Sequence, residues 1–128
     1  MTDLRFVVWQ FVRLMVQLEE SVKAGKSPDL KRLYSQWEDV WVDLDARLVD
    51  LGRKDGEAFA ELMMNQEVVC ETTNAGDREL VCSELSKVVD SLAAELAGTE
   101  DEQTVEDLSF EREELTLLIR DIRALKSD

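Results

Sequence analysis

The chain has 128 residues, of which 45% are hydrophobic and 34% charged, with one Pro and five Gly. That length supports one domain (residues 1–128) with its own core, and so few helix breakers argue against a fold of many short strands. Twenty-nine acidic residues against 15 basic leave a net charge of −14, which opposes direct binding to nucleic acid or to an anionic membrane.

The first element is the most apolar. Leu4 to Leu18 reads LRFVVWQFVRLMVQL, and the spacing predicts a helix from about Asp3 to Ala24 with Gly25 as its stop. Leu4, Val7, Val8, Phe11, Leu14, Met15, Leu18 and Val22 define its core face. Arg5, Gln10 and Arg13 interrupt the run, no small-residue cleavage site follows, and it is shorter than the ~20 residues of a membrane span. It reads as part of a folded, cytoplasmic protein.

Helix two carries the clearest start signals: Ser27 as N-cap, Pro28 at the first position and Asp29 at the positive helix end. Leu30, Leu33, Tyr34, Trp37, Val40, Trp41, Leu44, Leu48 and Leu51 form its stripe, closed by Gly52. Helix three is expected from Asp55 to about Thr72 or Thr73, with Phe59, Leu62, Gln66, Val69 and Cys70 inward and Ala60, Met64 and Val68 opposite. Thr, Asn and Gly around Asn74 mark a break.

Helix four follows Asp77 as N-cap and buries Val81, Leu85, Val88, Val89, Leu92 and Leu96; its polar far side predicts an outer wall. Gly98 stops it. Helix five starts with a capping box at Thr99/Glu102 or Thr104/Asp107 and carries Val105, Leu108, Leu115, Leu118, Ile119, Ile122 and Leu125. Acids at its start and Arg120, Arg123 and Lys126 at its end complement the helix dipole. Short connections favour antiparallel neighbours, so the expected fold is an all-α antiparallel helical bundle of about five helices, or four if the third and fourth are one bent helix.

Catalytic motifs are scarce. There is no histidine, and the two cysteines, Cys70 and Cys82, are not in a CxxC pair. A thiolate–imidazole metal site and a Cys-His or Ser-His nucleophile therefore drop out. A helical hairpin turning at the Asn74-Ala75-Gly76 break would bring the two thiols level, but helix axes about 8–10 Å apart exceed disulfide reach, so reduced, partly buried thiols are expected. Carboxylate pairs four apart, Asp39/Asp43, Glu57/Glu61 and Glu67/Glu71, face one way on a helix and invite a Mg²⁺ reading. At this acidity such pairs are the ordinary furniture of a solvated face. All-α nucleoside triphosphate pyrophosphohydrolases hold Mg²⁺ with ExxE followed by ExxD; this chain has one ExxE, Glu111 to Glu114, and no ExxD. It resembles them in fold class and acidity alone. No metal, cofactor or catalytic residue is assigned.

Surplus apolar surface is the more informative signal. Phe6, Trp9 and Val16 fall opposite the core face of the predicted first helix, with Arg13 between them. Two aromatics there imply either a helix buried on both sides or a protein interface. Ala60, Met64 and Val68 form a weaker stripe of the same kind. The resulting expectation is a non-enzymatic protein-binding module (an adaptor, a regulator or a secretion chaperone) that dimerises with itself through helix one. The competing expectations are a Mg²⁺- or Mn²⁺-dependent hydrolase using helix-borne carboxylates and an acidic nucleic-acid mimic that occupies a basic protein. Plain solubility or a high-salt cytoplasm also accounts for the charge.

Overall fold

Helix ends in this protein sit where side chains can satisfy free backbone groups. The structure, a computed structural model, describes residues 2–25, 27–72 and 75–125. Its elements run β1 (Thr2–Val7), α1 (Val8–Lys23), α2 (Pro28–Lys54), α3 (Gly56–Asn65), β2 (Glu67–Thr72), α4 (Ala75–Ala97) and α5 (Glu102–Arg123). Ser27 caps α2 by accepting from the Leu30 amide, and Asp55 caps α3 by accepting from the Ala58 amide at 3.1 Å. Gly25 ends α1 in the left-handed region, φ 72°, where a side chain would be strained. Five helices and their packing make the fold mostly all-α.

Two sequence expectations are corrected by a small sheet. Residues 2–7 and 67–72 are strands, not helix, and they pair antiparallel with Leu4 opposite Cys70 and Phe6 opposite Val68. Helix three therefore ends at Asn65 rather than near Thr72. The alternation explains why: Leu4, Phe6 and Cys70 are buried while Asp3, Arg5, Val69 and Glu71 are exposed, a period of two rather than 3.6. Leu4, Val7 and Val8 also satisfy helical spacing, so periodicity alone did not separate the two.

Other boundaries shift less. Helix α2 runs two residues past Gly52, to Lys54. Asp101, not Thr99 or Thr104, caps α5 by accepting from the Thr104 amide at 2.9 Å and from its hydroxyl at 2.6 Å, which holds the Asp101 carboxyl below the usual carboxylate range. Asn74, Thr73 and Lys126 lie outside the described residues.

Helix α1 is the hub. It packs on α2, α3 and α4, and Phe11, Leu14, Met15 and Leu18 are wholly buried. Phe6 and Phe11 meet Trp37 with ring centroids 6.2 and 6.5 Å apart, joining the sheet to α1 and α2. Helices α4 and α5 form an antiparallel hairpin: Glu79 and Arg123 close one end at 3.1 Å, and the Cys82 thiol donates to the Ile119 carbonyl. Helix α4 is no outer wall. Asp77, Arg78 and Glu84 are buried beside its apolar face, because α1 and α5 cover it from two sides.

Candidate functional site

Trp9, Val12, Arg13 and Val16 recur at i, i+3, i+4 and i+7, so α1 presents them along one stripe. That stripe is the floor of a cleft of about 480 Å³, walled by Met63 of α3, by Val88, Ser91 and Glu95 of α4 and by Glu111 of α5. Val16 is 45% exposed inside it. Trp9 is buried at one end, with Phe110 of α5 6.1 Å away, ring centroid to centroid, and itself 46% exposed.

Arg13 spans the cleft. Its Nη2 donates to Glu111 Oε2 at 2.9 Å and to Oε1 at 3.2 Å, and Nε donates to Oε1 at 3.4 Å. A guanidinium held this way keeps its orientation and is neutralised by its partner. With Arg13 neutralised, Glu20 and Glu95 leave the rim acidic. Apolar floor and acidic rim together favour a ligand with apolar and basic groups.

The structure redistributes the residues that the sequence singles out. Phe6 stands on β1, fully buried, and belongs to the core. Trp9 is also buried, at 5% exposure, so the aromatic end of that stripe is covered within the chain while Val16 further along stays exposed. Trp9, Arg13 and Val16 do come together in the cleft. Ala60 and Met64 are exposed on α3, but it is Met63 that turns into the cleft. Val68 is half-buried on β2, facing the core beside Val8 and Leu62 rather than continuing a helical stripe. Met63, Val88 and Glu111 escape sequence reasoning because each reaches the cleft from a different element; only Val88, already on a predicted inward face, carried a signal.

Neither carboxylates nor thiols build a competing site. Asp39, Asp43, Glu57 and Glu61 are all exposed. Glu67 and Glu71 lie on a strand, where four residues span about 13 Å, too far for one ion. Among the described residues no three of Cys, Asp and Glu converge in a metal-binding arrangement. Cys70 faces the core from β2, and burial pushes its thiol up to about 12; burial likewise raises Cys82. Both are free thiols and poor nucleophiles at neutral pH.

Two ion pairs embed charge in α4. Asp77, 3% exposed at its side chain, accepts from Arg32 of α2 at 2.6 Å, and this carboxylate holds the guanidinium above its ordinary value. Glu84, 2% exposed, pairs with Lys87 at 2.7 Å, and its second oxygen, Oε1, has no hydrogen-bond partner among the described residues. These pairs tie α2 to α4 and α4 to itself.

Comparison with protein-family models, curated proteins and solved structures finds no match to this chain. No helix among the described residues is long and apolar enough to cross a membrane.

Proposed function

We propose that this chain is a non-enzymatic protein-binding module whose cleft between α1, α3, α4 and α5 takes a basic, apolar segment of another protein. One observation supports this reading above the rest: Val16 stays 45% exposed on the α1 floor it shares with Trp9 and Val12, beneath an acidic rim of Glu20 and Glu95. The net charge of −14 attracts a basic segment over long range and speeds its encounter. Adaptor, regulator and secretion-chaperone roles all use such a surface. For the hydrolase alternative, no three carboxylates converge among the described residues.

The test is a pair of synthetic amphipathic helices with the same leucines, one carrying lysines and the other glutamates. The lysine peptide is expected to bind with a Kd in the range of about 1–100 μM, measured by fluorescence anisotropy, and Val16→Glu is expected to weaken it at least tenfold. Equal binding of both peptides, or unchanged binding to the Val16→Glu chain, rejects the cleft as the site.

A further inference from the structure

The sheet has two strands, and two strands alone are a marginal structure with two open edges. Which backbone groups face those edges follows from one bond. The Val8 amide donates to the Gln66 carbonyl at 2.9 Å, so in this register the even-numbered residues, Leu4/Cys70 and Phe6/Val68, are the hydrogen-bonded pairs. The odd-numbered residues point their amides and carbonyls outward. Two contacts agree with this: the Val7 amide donates to Gln10 Oε1, and the Glu71 carbonyl accepts from the side chains of Gln36 and Trp37. The β2 edge is thus partly closed by α2, and the end of the β1 edge is closed by Gln10. What remains is Asp3 and Arg5, both exposed, and neither makes a side-chain hydrogen bond or ion pair among the described residues.

We infer that this edge of β1 pairs antiparallel with the same edge of a second copy, extending the sheet to β2-β1-β1-β2 across a two-fold axis. The side chains select one register. Outward-pointing groups must oppose outward-pointing groups, so Asp3 faces Asp3, Arg5 faces Arg5, or Asp3 faces Arg5 of the other copy. The first two oppose like charges, which destabilises a strand pair, and the third opposes unlike charges twice. That register puts the axis at Leu4 and leaves the inner face of both strands on one side, as an isologous contact requires. It also answers a local repulsion: within one chain Asp3 stands directly opposite Glu71, two carboxylates on the exposed face, and the incoming Arg5 flanks Asp3 on its other side. The contact is small and joins two chains of net charge −14 each, so the dimer is expected to be weak, with a Kd of about 10–100 μM near 0.15 M salt, where the Debye length is about 8 Å.

Analytical ultracentrifugation of the full chain over that concentration range tests the inference independently of the cleft, since Asp3 and Arg5 do not line it. Wild type is expected to shift from monomer to dimer. Asp3→Arg alone, and Arg5→Asp alone, are each expected to lose at least tenfold in association, because each now opposes like charges. Mixed one to one, the two variants are expected to regain dimer, because every cross-strand pair in the mixed species is unlike; this rescue also shows that both variants are folded. A wild type that stays monomeric throughout, single variants that associate as well as wild type, or a mixture that stays monomeric each overturns the inference.

Discussion

Arg13 and Glu111 meet at 2.9 Å although 98 positions of chain separate them. Through this pair the first helix is tied to the last. The side chains are 39% and 23% exposed, so solvent screens them and the pair contributes little to stability. Arg13→Ala is therefore expected to cost less than about 1 kcal/mol in urea unfolding. Its larger effect is on the cleft: freeing Glu111 makes the rim more acidic, and the lysine peptide is expected to bind more tightly to Arg13→Ala than to wild type. Weaker peptide binding would mean that Arg13 contacts the ligand rather than neutralising the wall.

The three tryptophans are not equivalent. Trp37 is 3% exposed and packs against Phe6 and Phe11, with its Nε1 donating to the Glu71 carbonyl at 3.4 Å. Trp37→Ala is expected to cost about 3–5 kcal/mol, because it opens a cavity and removes one of the two side-chain bonds from α2 to the Glu71 carbonyl. Trp41, four residues on, is only partly buried and packs at the margin of the core, its ring 6.4 Å from that of Phe11. Its truncation is expected to cost no more than about 2 kcal/mol. Denaturation midpoints of the two variants separate them directly, and equal losses would refute this ordering.

That difference marks what the sequence could show. Helix α2 was legible almost end to end, since Ser27 and Pro28 announce its start and Leu30, Leu33, Trp37, Leu44 and Leu48 repeat at helical spacing and are buried. The strands were not. Leu4, Phe6 and Cys70 owe their burial to pairing across more than 60 residues of chain, and no local signal separates four alternating residues from one helical turn. The cleft was half legible: Trp9, Arg13 and Val16 share a stripe that α1 sets by itself, while Met63, Val88 and Glu111 arrive through tertiary packing. Where a side chain stands on its own helix is local information. What stands opposite it is not.

The sheet also gives the protein a pH dependence at its alkaline end. Burial raises the Cys70 thiol to about 12 from an ordinary value of 9.0, so between these limits the unfolded chain ionises and the folded chain does not. The raised value contributes stability that is fully present below pH 9 and lost as pH rises toward 12, at no more than about 1.4 kcal/mol per pH unit. Subtracting the profile of Cys70→Val from that of wild type removes the background of lysines and tyrosine. The difference is expected to be flat below pH 9 and to fall above it. Cys70 is also expected to resist alkylation in the native state at pH 8.

Glu84 and Lys87 offer two truncations of one ion pair with opposite signs. Glu84 is almost wholly buried and one of its oxygens, Oε1, has no hydrogen-bond partner among the described residues, whereas Lys87 is 53% exposed. Replacing Glu84 by Met removes a desolvated charge and an unsatisfied oxygen and fills the site with a flexible apolar chain, while the lysine it leaves behind simply takes water. The penalty for breaking a buried pair comes from the charge left buried, and Lys87 is exposed, so Glu84→Met is expected to gain about 1–2 kcal/mol. Lys87→Ala does the reverse. It leaves the carboxylate buried with neither oxygen paired, and is expected to lose about 1–3 kcal/mol. Glu84→Gln keeps a polar group in the same place and is expected to gain less than Glu84→Met. Urea unfolding of the three variants at pH 7 orders them as Met above Gln above Lys87→Ala; a destabilised Glu84→Met would show that the carboxylate has a favourable partner in solution, such as a bound water at Oε1.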